Sequence, residues 1–452
     1  MAPRPEGHLA SGTGRIPAEY RLAMGAKVLG SALWVSGRAQ HEAWVESVVP
    51  RLGRRLAAGV TVDIDEPAGV VTLRHDGGAV GSAVLAGDQG CVIRTDAGEG
   101  PVFLPVPVEP ALGEPGTVPW PLGDAGEVDP AATGIDPTGL AAAVDAAFVP
   151  AAHTAALVVV HQGQLVAERY APGIGRDTQL ESWSMGKSVA AALIGVLAAE
   201  GDLELDEAVP VAAWDSPADP RRAVTVRHLL QMSSGLRFSG VDDWDPARSP
   251  VPDHVRIYMD AVDVHAFAVG RDLEHEPGAV GRYRNCDPLA LMAAARAIVE
   301  GRGEDWLTWP QRVLFDPAGV RRQVLETDRF GNFIITGFDY GTARNWARLG
   351  LLFLQDGVSA GRRVLPSGWF RVVSTAAPAW PDPVYGGLFW LNGTREWALP
   401  PSAFYMGGDA VQRAFVVPSH DLVIVRLGHT LGAASAGPAL NRALAAIVAA
   451  CP

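Results

Sequence analysis

Lysine is almost absent from this chain: Lys27 and Lys187 are its two lysines among 37 basic residues, and the others are all arginine. A buried lysine can lose its proton, whereas arginine effectively cannot, so two positions alone can offer an ε-amine as a general base. Cysteine is scarce too. Cys91, Cys286 and Cys451 show no C-x-x-C spacing, which indicates neither a disulfide framework nor a metal knuckle. There is no basic run and no interleaving of aromatic with basic residues. With a net charge of −13, nucleic acid and anionic membranes are not expected partners. The apolar stretch Ala23 to Gly37 follows Arg4, His8 and Arg15, but it starts late, carries Lys27 and is too short to span a bilayer. A cytoplasmic protein without a secretory signal is therefore expected. The eleven histidines are scattered. His275-Glu276 opens like a zinc-protease motif, but no histidine follows at helical spacing and Pro277 breaks the helix, so no metal is expected.

What is present is apolar and long. At 452 residues and 48% hydrophobic, the chain can bury a large core in two or three domains, or in one large domain with an extension. Residues 1–100 read as an N-terminal α/β extension. It has helices near Pro17–Val35 and Gln40–Ala58, then strands at Val60–Ile64, Val70–Arg74 and Ala79–Leu85 separated by turn residues. Residues 101–135 are rich in proline and glycine and read as a linker or an extended wrap. Residues 136–452 open with a helix start at Asp136-Pro137-Thr138. A strand pair follows, Ala155–Val160 and Gln164–Tyr170, joined by a turn that holds His161. This part closes with strands Ala414–Val417 and Leu422–Leu427 and a helix near Ala436–Ala450. Strands at both ends with helices between them predict an α+β domain whose antiparallel sheet is assembled from its two ends.

The chemistry concentrates in Glu181-Ser182-Trp183-Ser184-Met185-Gly186-Lys187-Ser188 and the apolar run after it, which stops at Gly201. That run reads as a buried helix with Ser184 in its first turn. Residues three apart share a helix face, so the Lys187 amine is carried beside the Ser184 hydroxyl. The helix start adds a positive end and backbone N–H groups that favour an oxyanion. Such a pair is a serine nucleophile with its own base. A hydrolase also needs a proton donor for the leaving group and a second oxyanion donor. Pro277-Gly278 leads to Tyr283-x-Asn285, which can supply a proton shuttle held partly ionised by a lysine ammonium, together with an orienting amide. Tyr405-Met406-Gly407-Gly408-Asp409 can bring a strand edge, and an N–H near Asp409, close to a ligand.

In order and spacing, Ser184-x-x-Lys187, the Thr225–Leu236 segment, Pro277-Gly278 with Tyr283-x-Asn285, and Gly407-Gly408 resemble the serine β-lactamase and penicillin-binding-protein superfamily. The similarity covers about residues 136–450. It is nearest in flavour to the class C-like esterases, nylon-oligomer hydrolases and D-amino-acid peptidases. Ser182 to Ser188 and Tyr340 to Gly350 are especially similar to the nylon-oligomer branch. The resemblance implies a β-lactamase/transpeptidase-like fold with an all-helical subdomain. It also implies Ser184 as nucleophile, Lys187 as base, Tyr283 as proton relay, Asn285 as polar support, and the N–H groups of Ser184 and Asp409 as oxyanion hole. One departure stands out: Met406-Gly407-Gly408 replaces the Lys-Thr-Gly or His-x-Gly of penicillin-recognising members, so a cation for a substrate carboxylate is missing there.

The expected activity is cofactor-free hydrolysis of a small-molecule ester or amide through acyl-Ser184. Trp183, Met185, Tyr385, Phe389, Trp390, Tyr405 and Met406 are candidates for apolar walls. An acyltransferase on the same site, and a non-catalytic receptor that retains the fold, are the rival readings. A homodimer is left open.

Overall fold

The computed structural model describes residues 16–126, 128–241 and 243–452. Arg4, His8 and Arg15, cited above for the N-terminal reading, lie outside the described residues.

The central sheet is six-stranded and wholly antiparallel, in the order Trp390–Leu391, Phe404–Gly408, Gln412–Val417, Leu422–Gly428, Thr154–His161, Gln164–Tyr170. Its centre pairs strands from the two ends of the domain, Val425 facing Val158 and Val423 facing Val160. Thr154–His161, Gln412–Val417 and Leu422–Gly428 are buried along their whole lengths, so they read as apolar runs with little alternation. The hairpin Thr154–Tyr170 turns at Gln162 and Gly163, with φ of 50° and 73°, the left-handed pair that a two-residue hairpin needs. The helices Pro137–Ala147 and Ala433–Ala450 pack on each other against the sheet. Asp136 caps the first by accepting from the N–H groups of Thr138 and Gly139. The last helix is the one segment among the described residues that is long and apolar enough to cross a membrane, yet it buries Leu440, Leu444 and Ile447 inside the protein. The helix Ala343–Leu354 also packs on the central strands. Between the two ends of the sheet, Val226–Leu230, Asp253–Met259, Val264–Val269 and Cys286–Gly301 form the helical subdomain.

The N-terminal part is a helix, Ala18–Trp34, laid on a four-stranded antiparallel meander. A Cβ at Gly81 would lie 2.1 Å from the Ala23 nitrogen, so this glycine lets the helix backbone rest directly on the sheet. The meander has the three expected strands and a fourth, Cys91–Ile93. The continuous helix expected over Gln40–Ala58 is instead broken into Gln40–Ala43, a π-helical turn Trp44–Val48, Val49–Leu52 and Arg54–Ala57. Pro50 is the reason: it lacks an N–H and crowds the carbonyl of Glu46, widening the preceding turn, and Gly53 at φ 74° then ends the run. In the Thr225–Leu236 segment the helix covers Val226–Leu230, and beyond it Asp287 accepts the Ser234 hydroxyl at 2.7 Å.

Residues 101–126 run as an extended band with short turns, clamped to the catalytic part by arginines. Arg348 gives Nε to the Pro121 carbonyl at 2.6 Å, and Nη2 to the Gly123 carbonyl and the Asp124 carboxylate. Arg344 bridges Asp124 and Glu168. The N-terminal helix is tied in by Lys27, whose amine pairs with Glu326 at 2.7 Å with both side chains fully buried. Glu326 also accepts from Ser31 Oγ and the Cys91 N–H, so its carboxylate joins the helix, the meander and the catalytic part. Lys27→Met leaves that carboxylate buried without its charge partner. The unfolding free energy is expected to fall by about 3–5 kcal/mol, read as a lower denaturant midpoint; an unchanged midpoint would show that the pair contributes no stability.

Candidate active site

Ser184 sits in a 3₁₀ turn, Trp183–Met185, that runs directly into the helix Gly186–Glu200. The helix is buried from Gly186 to Leu197 and ends at Gly201 in the left-handed conformation. Lys187, three residues on from Ser184, is 1% exposed and places Nζ 2.8 Å from Ser184 Oγ. Burial alone pushes the Lys187 amine well below its ordinary value. The carbonyl of Thr336 closes the group, with Lys187 Nζ at 3.0 Å, Ser184 Oγ at 3.2 Å and Tyr258 Oη at 2.6 Å. A carbonyl oxygen has two lone pairs, so three donors cannot all be served there. Burial favours the neutral amine, whose lone pair can then take the Ser184 proton across the 2.8 Å contact.

Glycine permits this approach. A Cβ on Gly186 would lie 2.4 Å from the Ile335 carbonyl oxygen, so the loop carrying Thr336 reaches the helix start only because residue 186 is glycine. On the other side, a Cβ on Gly408 would fall 2.0 Å from the Ser182 carbonyl, and one on Gly407 would fall 2.9 Å from the Trp390 ring. The strand Phe404–Gly408 therefore ends against the segment that carries Ser184. The turn after it is strained: Ala410 and Val411 have φ of 57° and 61°, and Trp183, beside the nucleophile, has 53°. Non-glycine residues in this region cost on the order of 1–3 kcal/mol each and persist where their surroundings enforce them.

Tyr283 joins the pair from the helical subdomain. Lys187 Nζ lies over its ring, 4.7 Å from the centroid, and the ring stacks on Trp390 at 5.1 Å. Its hydroxyl is buried, with the Ser184 hydroxyl as its polar neighbour among the described residues. Burial raises the phenol above its ordinary value, opposed by the neighbouring Ser184 hydroxyl and the Arg413 charge. These directions run against the expectation of a partly ionised tyrosine beside an ammonium. The lysine faces the ring and favours the neutral amine, and the tyrosine favours its protonated form. Asn285 stands behind this group. It is buried at the start of the helix Cys286–Gly301, and its Nδ2 lies 3.0 Å from His254 Nδ1. His254 in turn packs its ring on Tyr258 at 4.9 Å, which connects Asn285 to the Thr336 carbonyl through two side chains.

The Pro277-Gly278 turn meets the Thr225–Leu236 segment through Gly278 N–H to the Ser233 carbonyl at 2.7 Å. The candidate wall residues Trp183, Met185, Tyr385, Phe389, Trp390, Tyr405 and Met406 are all buried among their neighbours. Asp409 directs its carboxylate to Arg51 of the N-terminal part, at 2.9 Å. Thr336, Tyr258, His254 and Arg51 carry no motif. Thr336 acts through its backbone and Arg51 arrives from a segment 133 residues before Ser184 (184 − 51), so a local pattern could not have shown either.

An antiparallel sheet flanked by helices, with a serine and a buried lysine paired at the head of a buried helix, defines an enzyme of the hydrolase class. The sequence matches the beta-lactamase family over residues 144–449, and the chain belongs to that family. It is 24% identical over 311 residues to the 6-aminohexanoate-dimer hydrolase of Paenarthrobacter ureafaciens, covering 61% of this chain and 72% of that protein. To esterase EstB of Burkholderia gladioli it is 28% identical over 225 residues, covering 44% of this chain and 54% of EstB. In fold it is similar to a penicillin-binding protein homolog from Caulobacter crescentus, with a TM-score of 0.52 at 17% identity over 70% of this chain and 99% of that one.

Because the folded pKa of Lys187 lies below 10.5, its neutral form is present above that depressed value and is lost as pH falls through it. The turnover rate is expected to drop on acidification with an inflection well below an ordinary lysine. A pH–rate profile flat through the acid range, within the limits of folding, would rule out a neutral-amine base.

Proposed function

We propose that this protein hydrolyses a small-molecule ester or amide through an acyl-enzyme on Ser184. The observation that carries this reading is the buried Lys187 amine, 2.8 Å from Ser184 Oγ. As Oγ attacks the substrate carbonyl, its proton passes to Nζ, and the new C–O bond leaves an oxyanion. The N–H groups of Ser184 and Asp409 receive that oxyanion. The proton moves from Lys187 by way of Tyr283 Oη to the leaving oxygen or nitrogen as the C–O or C–N bond breaks. Water, activated by the same pair, then releases the acyl group. The protonated state favoured at Tyr283 suits a group that donates to a leaving atom.

Two considerations favour neutral substrates. Met406 stands where penicillin-recognising relatives carry a cation, and it is completely buried. The curated relatives named above are a hydrolase of an aminohexanoate dimer and an esterase. Activated short-chain esters and short neutral amides are accordingly the substrates to try first, with a cephalosporin as the contrast.

A fluorophosphonate is expected to add to Ser184, read as a mass increase on the intact protein that Ser184→Ala abolishes. Lys187→Arg keeps a positive charge but supplies no neutral base, so it is expected to lower kcat on an activated ester by roughly 100- to 10,000-fold. Retention of more than about a tenth of the wild-type rate, well inside that range, would make Lys187 an electrostatic support.

A further inference from the structure

We infer that Arg51, supplied by the N-terminal part of the chain, is a positioning residue of the active site, clamping both sides of the oxyanion hole. This rests on the reading of Ser184 and Asp409 given above.

Arg51 is 6% exposed and touches each side. Its guanidinium carbon lies over the indole of Trp183, 3.5 Å from the ring centroid, one residue before the nucleophile. Its Nη2 donates to Asp409 Oδ2 at 2.9 Å and to Thr430 Oγ1 at 3.1 Å. Trp183 is the residue of the nucleophile turn with a left-handed backbone, and Asp409 opens the turn whose next two residues share that conformation. Strained backbone of this kind stays in place only where neighbours hold it. For the 408–412 turn the neighbours are three guanidinium groups. Arg413 Nη1 donates to the Gly408 and Gln412 carbonyls, and Arg426 Nη1 to those of Ala410 and Val411. Arg51 supplies the third, and of the three it alone comes from outside the sheet and also touches Trp183.

The segment that delivers Arg51 is built to hold it. The π-helical turn Trp44–Val48, Pro50 and Gly53 set its direction, and the segment is anchored at two further points. Glu46 meets His153 Nδ1 at 3.0 Å and His429 Nε2 at 3.4 Å, and Arg38 binds Glu42, Glu46 and Ser47. The cluster of Glu42, Glu46 and His429 thus already has a cation, Arg38, between its carboxylates. It serves as an anchor.

The test compares Arg51→Ala, Arg51→Lys and Asp409→Asn with wild type on one activated ester, each variant checked by thermal unfolding. An alkyl boronic acid that adds to Ser184 and places an oxygen in the oxyanion hole reports on the hole itself. Arg51→Ala is expected to lose about 10- to 100-fold in kcat, less than the roughly 100- to 1,000-fold that follows outright removal of an oxyanion donor. KM should stay nearly unchanged while boronate affinity weakens by a similar factor. Added guanidinium at sub-denaturing concentration is expected to restore part of the rate to Arg51→Ala and none to Asp409→Asn. Arg51→Lys, which keeps charge but loses the planar fork, should fall between. A folded Arg51→Ala with wild-type kcat and boronate affinity would overturn the inference, as would a loss confined to KM for carboxylate-bearing esters. Should Arg51→Ala fail to fold, the same comparison on Arg51→Lys and Asp409→Asn decides it. Turnover surviving in Ser184→Ala would instead overturn the reading of the site on which the clamp depends.

Discussion

A lysine amine buried without a carboxylate beside it is the constraint on which this structure turns. Taking an ammonium out of water is costly unless a countercharge is at hand, and the groups around Lys187 Nζ are a hydroxyl, a backbone carbonyl and the face of Tyr283. The neutral form relieves that cost, and a neutral amine next to a serine hydroxyl is a base. Thus burial, the property that stabilises the apolar helix Gly186–Glu200, also favours the uncharged amine that the proposed chemistry needs. The same demand explains why a chain that otherwise uses arginine keeps lysine here. Guanidinium cannot shed its proton at any neutral pH, so burial in this spot would leave an unpaired charge in place of a base.

The other lysine shows the opposite solution to the same problem. Lys27 is equally buried but has a carboxylate, Glu326, at 2.7 Å, and it lies 4.6 Å from the centroid of Phe338. Phe338 in turn packs on Trp183 at 5.3 Å and edge-on to Tyr258 at 5.7 Å. The ion pair that fastens the N-terminal helix is therefore separated from the nucleophile turn by one side chain, Phe338. This ties the N-terminal part to the nucleophile turn through packing as well as through the ion pair, and Arg51 reaches the same turn from that part.

Much of this could be read in the sequence, and the divide follows the range of the interactions. The Ser184–Lys187 pair depends on helical periodicity, the hairpin at Gln162-Gly163 on turn chemistry, and the helix starting after Asp136 on a side-chain cap; all three are local, and all three are found. The broken helix over Gln40–Ala58 was misread although Pro50 lies within it, because apolar periodicity outweighed the one residue that cannot donate. Past the helix of the Thr225–Leu236 segment, Ser234 is bonded to Asp287, more than fifty residues away (287 − 234 = 53), which no local pattern shows. Thr336 was invisible for a different reason: it contributes a carbonyl, which every residue has, and only the fold decides which carbonyl faces the lysine. The ionisation of Tyr283 could not be read because sequence places it near Lys187 without saying whether the oxygen or the ring face meets the amine.

The arginines around the 408–412 turn bear on which substrates suit this site. With Met406 buried in the strand, the cation expected of a penicillin-recognising site has to come from elsewhere, and Arg51, Arg413 and Arg426 are near. Each is committed to the scaffold: Arg413 to the Gly408 and Gln412 carbonyls, Arg426 to those of Ala410 and Val411, and Arg51 to the Asp409 carboxylate. A planar guanidinium can bond several backbone oxygens at once, which suits it to hold a turn that its own φ angles disfavour. Drawing one of these groups toward a substrate carboxylate would release the turn it holds. On the proposed reading, in which the Asp409 N–H is an oxyanion donor, the contacts that hold the turn also keep this positive charge from substrate recognition, which is in line with a neutral ester or amide as the substrate.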